Sequence, residues 1–162
     1  MTQFDAAVQE LGDALRARGW RLATAESCTG GLIAATCTAV AGSSDWFERG
    51  FVTYSNRAKE SMLGVDPDLI ARHGAVSAEV ARAMAEGALA HADAQLAVAV
   101  TGIAGPGGAV PGKPVGTVWL GLAADGLAAR AELLQLDGDR QQVRLQSVAA
   151  ALQRLLAAAR GA

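Results

Sequence analysis

Apolar residues recur at helical spacing at the start of the chain, with Phe4, Val8, Leu11 and Leu15 on one stripe and Gly19 placed to close the helix. An apolar run at 20–25 then reads as a strand, and the Ala-rich stretch at 29–40 as a helix broken by Gly42. Residues 43–48 read as a turn or short helix, and 50–54 as a second short strand. Asn56 is placed to cap a helical piece that carries Lys59 and ends near Gly64. A further short helix spans 66–73 with Pro67 in its first turn. Ser77 caps a longer helix to about residue 91, with Val80 and Met84 on one face. From Gln95 to Val100 the chain alternates only small and apolar residues, as a strand covered on both faces does. They run into a glycine-rich loop that begins at Thr101 and ends near Pro114. Strands at 115–123 and 128–136 flank the turn pair Asp125-Gly126, a hairpin signal. A last helix covers about 139–159, with Val148, Leu152, Leu155 and Ala159 on its buried stripe. This order predicts a single-domain three-layer α/β/α sandwich with a mixed, mostly parallel sheet over residues 1–162.

Length and charge narrow the function classes. A chain of 162 residues is long enough for one proper core. Its net charge of −2 and the lack of any Lys/Arg cluster argue against a nucleic-acid partner. No apolar run reaches the roughly 18 residues of a membrane span, and the first residues lack the pattern of a signal peptide. Cys28 and Cys37 lie in one strand–helix unit outside any Cys-x-x-Cys pair, which reads as a reduced cytoplasmic protein without a disulfide. No His-x-x-x-His, Cys/His cluster or paired-carboxylate pattern occurs, so neither a metal nor another cofactor is expected.

Three polar clusters fall where strands end, at 26–31, 53–59 and 101–108. The first offers Glu26, Ser27, Cys28, Thr29, Gly30 and Gly31 at a strand-to-helix junction, where Ser27 or Thr29 could equally act as a plain N-cap. Ser27, Cys28, Thr29 and Thr101 are the candidate nucleophiles. A hydroxyl needs a base. His73 and His91 sit in stretches that look exposed, whereas Lys59 follows a strand and loses basicity if it is drawn into a dry pocket. The glycine-rich loop lacks the Gly-Lys-Ser/Thr of a phosphate-binding P-loop and the spacing of a dinucleotide fingerprint. Its backbone N–H groups can still receive a phosphate or an oxyanion, or it is simply a tight surface loop. Arg140 and Arg144 lie a turn apart on the last helix and suit a phosphate or surface ion pairs.

Residues 25–31 (Ala-Glu-Ser-Cys-Thr-Gly-Gly), 50–59 (Gly-Phe-Val-Thr-Tyr-Ser-Asn-Arg-Ala-Lys), 74–77 (Gly-Ala-Val-Ser) and 100–108 (Val-Thr-Gly-Ile-Ala-Gly-Pro-Gly-Gly) together resemble the CinA C-terminal domain family. The likeness continues through 113–119 and 138–140 and covers nearly the whole chain. It resembles the stand-alone members, which include a nicotinamide mononucleotide deamidase. The resemblance implies hydrolysis of that nucleotide's carboxamide to nicotinic acid mononucleotide and ammonia, without metal or cofactor, by a homo-oligomer. It implies Ser27 as nucleophile, Lys59 as general base and Tyr54 as their assistant. Glu26, Thr29, Gly30, Gly31, Thr101, Gly102, Gly105 and Arg140 would face the substrate, with Arg140 suited to its phosphate, and Thr29 also the better candidate for the helix cap. Two other readings compete: an inactive nucleotide-binding or regulatory module, and a phosphotransferase, which the missing P-loop lysine weakens.

Overall fold

The computed structural model describes residues 2–161. Helix α1 (Asp5–Arg18) buries Val8, Leu11 and Leu15 and ends at Gly19, in the left-handed conformation (φ 66°) expected of its cap. The Trp20 N–H donates back to the Leu15 carbonyl, so Trp20 completes the helix cap and does not begin the strand. Strand β1 (Leu22–Glu26) therefore starts later than the apolar run suggests. Helix α2 (Leu32–Thr38) also starts late, because Gly30 and Gly31 hold positive φ values that no right-handed helix contains. A 3-10 turn at Ser43–Asp45 leads into β2 (Phe47–Val52), which begins earlier than expected. The Leu22 N–H pairs with the Trp46 carbonyl, and the Trp46 side chain is buried against α1, which draws this segment into the sheet.

Helices α3 (Asn56–Leu63), α4 (Pro67–His73) and α5 (Ala78–Ala90) follow, capped by the Ser55, Asp66 and Ser77 side chains. Then come β3 (Leu96–Gly102), β4 (Thr117–Ala124) and β5 (Arg130–Gln135), and finally α6 (Arg140–Ala159), whose Asp139 and Gln142 form a capping box. The sheet order is β2-β1-β3-β4-β5. β1 pairs in parallel with β2 and β3, while β4 pairs antiparallel with both neighbours, so four strands run one way and β4 alone opposes them.

The alternation in β3 decides how the layers pack. Leu96, Val98 and Val100 face the core shared with α1, α2 and α6, whereas Ala97 and Ala99 face α5. The small face lets α5 lie close to the sheet: a Cβ at Gly121 of β4 would stand 2.1 Å from the Ala81 carbonyl oxygen. The chain leaves β1 for β2 across one face and reaches β3 from β2 across the other. A crevice consequently opens beyond the C-terminal end of β1, where ligands bind in open α/β sheets. Glu26, Val52 and Val100 are aligned at this rim, and Gly102 stands opposite Val118 beside them.

Candidate active site

Ser27 is the first residue beyond β1. Its N–H donates to the Val100 carbonyl, so its backbone is fixed to the central strand of the sheet. Thr53, beyond β2, is anchored in the same way through its N–H to the Glu26 carbonyl. These two bonds set the ends of three strands side by side. Lys59 lies in α3 with Leu63 on the helix's inward face, fully buried where a lysine is ordinarily solvated. Its Nζ reaches Ser27 Oγ at 3.1 Å, the Thr53 carbonyl at 3.1 Å and the Tyr54 carbonyl at 3.3 Å. Among the described residues no carboxylate pairs with it, and burial holds the ammonium below its ordinary value of 10.5. The neighbouring thiol acts weakly the other way.

The three acceptors match the three N–H bonds of the ammonium. When one proton leaves, the two carbonyls keep two N–H groups and the lone pair is left facing Ser27 Oγ. A hydroxyl and a weakened amine at hydrogen-bonding distance make a nucleophile with its base. Cys28 is a poor rival: burial pushes its thiol up to about 11, so almost none is thiolate near neutral pH. Cys37 is buried in the core and pushed up to about 12.

Ser27, Cys28, Tyr54, Asn56, Lys59, Ala75, Val76, Thr101, Gly102, Ala104 and Arg140 line a cleft of ≈ 240 Å³. Arg140, at the start of α6, donates to the Gly105 carbonyl at 2.9 Å and to the Tyr54 hydroxyl at 3.2 Å, which ties the second and third polar clusters together. The Tyr54 phenol therefore points to Arg140, and only its backbone carbonyl touches the Ser27–Lys59 pair. This differs from the assisting role expected of the phenol. The Thr101 hydroxyl donates to the Ala75 carbonyl at 2.9 Å and fixes a wall of the cleft, so it is not free to attack. Gly102 and Gly105 are confined: a Cβ would meet Val118 at 2.6 Å and Val115 at 2.5 Å respectively.

The other expected contacts of the first cluster lie elsewhere. The Glu26 carboxylate is buried under α2 and accepts the N–H groups of Ile33 at 2.8 Å and Ala34 at 3.0 Å. The Thr29 hydroxyl donates to it at 2.6 Å. Glu26 thus caps α2 from the end of the strand, and Thr29 supports that carboxylate without being the cap itself. A carboxylate is favoured at a helix's positive end, and a substrate anion finds those amides already taken. Gly30 and Gly31 do not line the cleft; a Cβ on Gly30 would face the Arg144 guanidinium, and one on Gly31 the Val52 side chain.

Asn56 was readable from sequence only as a helix cap. Ser55 fills that role by accepting the Ala58 N–H, and Asn56 lines the cleft. Two consecutive cap-forming residues were the available signal. Ala75, Val76 and Ala104 carry no chemistry that sequence could single out. His73 faces Glu79 at 3.7 Å and His91 Nδ1 lies 2.7 Å from the Gly87 carbonyl, both away from the cleft. No three metal-ligating side chains gather among the described residues.

The model of the CinA C-terminal domain matches residues 5–159. A nicotinamide-nucleotide amidohydrolase PncC of Enterobacter agglomerans is 54% identical over 148 residues, covering 91% of this chain and 90% of that protein. The protein of the same name from Escherichia coli K12 is 53% identical over 151 residues, with 91% and 89% covered. Among solved structures, a competence/damage inducible protein CihA from Agrobacterium tumefaciens superposes with a TM-score of 0.89 at 45% identity, over 97% of this chain and 98% of that one. Such agreement in sequence and backbone over almost the full length makes this chain a member of the CinA C-terminal domain family.

Proposed function

We propose that the chain, acting as one domain, hydrolyses the carboxamide of nicotinamide mononucleotide to nicotinic acid mononucleotide and ammonia, with Ser27 as nucleophile and Lys59 as general base. The buried 3.1 Å contact between Ser27 Oγ and the weakened Lys59 amine, which pairs with no carboxylate among the described residues, carries this reading. The substrate class is supported by the names of the relatives that span nearly the whole chain.

In the first half-reaction Ser27 Oγ attacks the carboxamide carbon and its proton passes to Lys59 Nζ. The tetrahedral intermediate collapses as Nζ returns a proton to the departing nitrogen, which leaves as ammonia from an acyl-serine ester. Water then attacks the ester with Lys59 again taking the proton, and Nζ returns it to Ser27 Oγ as the ester bond breaks, which releases the acid and regenerates free Ser27. Every group this sequence of steps needs belongs to the chain or is water. Glu26 occupies the amides of Ile33 and Ala34, so the oxyanion falls to the amides of the turn after Ser27 or of the glycine-rich loop. Arg140, together with the loop at 104–108, suits the substrate phosphate at the cleft mouth. We place the protein in the reduced cytoplasm, consistent with its buried free cysteines, and as a homo-oligomer.

Ser27→Ala tests the assignment. Ammonia release from the nucleotide is expected to fall by about 10³-fold or more while binding of nicotinic acid mononucleotide persists. Unchanged turnover in this variant would remove Ser27 from the chemistry. A purified wild type that releases no ammonia would favour the binding-module reading.

A further inference from the structure

The polypeptide just after Ser27 is held from outside the cleft. Arg144, on α6, donates from Nε to the Cys28 carbonyl at 3.2 Å and from a terminal nitrogen to the Thr29 carbonyl at 3.1 Å. It is absent from the cleft lining. The segment it grips has little stiffness of its own, because it ends in Gly30 and Gly31, at φ 59° and 102°.

A planar trans peptide makes each carbonyl and the following N–H point opposite ways. Drawing the Cys28 carbonyl towards α6 therefore points the Thr29 N–H away from α6 at the opposite edge of the same plane, and the Thr29 carbonyl does the same for the Gly30 N–H. The Gly30 N–H is used, donating to the Ser27 carbonyl at 3.0 Å. The N–H groups of Cys28 and Thr29 donate to no backbone carbonyl among the described residues.

We propose that Arg144 is a positioning residue for the amidase reaction: its bond to the Cys28 carbonyl aims the Thr29 amide, and its bond to the Thr29 carbonyl sets the Gly30 N–H, whose bond to the Ser27 carbonyl in turn aims the Cys28 amide, so that the Cys28 and Thr29 amides receive the oxyanion. This rests on the reading of Ser27 as nucleophile. The guanidinium matches two carbonyls from one fixed fork, a geometry that the single ammonium of a lysine does not reproduce. The amides themselves carry the developing charge; Arg144 touches neither substrate nor reacting atoms.

The test compares wild type, Arg144→Met and Arg144→Lys in ammonia release from nicotinamide mononucleotide, with the thermal midpoint of each. Loss of a preorganised oxyanion site predicts that kcat falls about 10²- to 10³-fold in Arg144→Met, with KM within about threefold of wild type. Guanidinium ion, added below any denaturing concentration, is expected to restore at least about tenfold of the lost kcat. Arg144→Lys is expected to stay below the rescued level. A raised KM at unchanged kcat would make Arg144 a substrate contact and overturn the proposal, as would full activity in Arg144→Met. Lost activity that tracks a lowered midpoint, with no rescue by guanidinium, would leave only a structural role. A wild type without turnover sinks the amidase reading and this inference with it, whereas an active wild type beside an active Arg144→Met sinks the inference alone.

Discussion

A lysine drawn out of water loses the hydration that favours its charge, and among the described residues Lys59 has no anion to replace it. Its neutral form is accessible at a lower pH than that of a surface lysine, and the neutral form is the one that can take the Ser27 proton. The sign follows directly: activity rises with pH through the lowered folded-state value, and levels off before the 10.5 of an ordinary lysine. Lys59→Arg keeps the positive charge but cannot release its proton. It is expected to lower kcat by about 100-fold or more at every pH, with no rising limb in a pH–rate profile. A residual activity that retained the wild-type profile would assign the base elsewhere.

Among the elements, close approach of α5 to the sheet matters more than the amphipathicity of any helix. Gly121 has no side chain to displace the Ala81 carbonyl, and Gly87 of α5 stands in the same relation to the Leu63 carbonyl, where a Cβ would lie 2.1 Å away. Backbone atoms cannot rotate away as a side-chain tip can. Gly121→Ala is accordingly expected to destabilise the fold by about 3 kcal/mol, the upper part of the range for overpacking. Urea unfolding measures this, and a loss below about 0.5 kcal/mol would mean that α5 slides freely on the sheet. The same alternation of large and small residues in β3 that marks a doubly covered strand also fixes which helices take the wide face and which the narrow one.

On the scale of the whole molecule, the cleft joins segments far apart in the chain, and its wall is tied at several points. Lys113 Nζ donates to the His73 carbonyl at 2.8 Å and so fastens the glycine-rich loop to the end of α4. The Ser77 hydroxyl donates to the Gly74 carbonyl, and Thr101 holds Ala75, within the same wall. A charged hydrogen bond contributes about 1.5–3 kcal/mol when buried and less at an exposed site such as this. Lys113→Ala is expected to speed amide hydrogen exchange over 104–116. It should raise KM for the nucleotide by up to about tenfold with kcat within twofold, since Lys113 lies outside the reacting pair. Unaltered exchange in that segment would show that the loop holds itself.

Hydrophobic periodicity and cap chemistry are local, and from them the sequence by itself determined the layer order, the mixed sheet, the caps at Gly19 and Ser77, and the three strand-end clusters. Element boundaries shifted where a backbone bond across space took a residue, as at Trp20, or where glycines took positive φ, as at Gly30 and Gly31. Side-chain direction and solvent exclusion are long-range properties, and only the tertiary structure decided them. It buried Lys59 beside Ser27, turned Glu26 inward to cap α2, moved the Tyr54 phenol to Arg140, and set Arg144 behind the turn that follows Ser27.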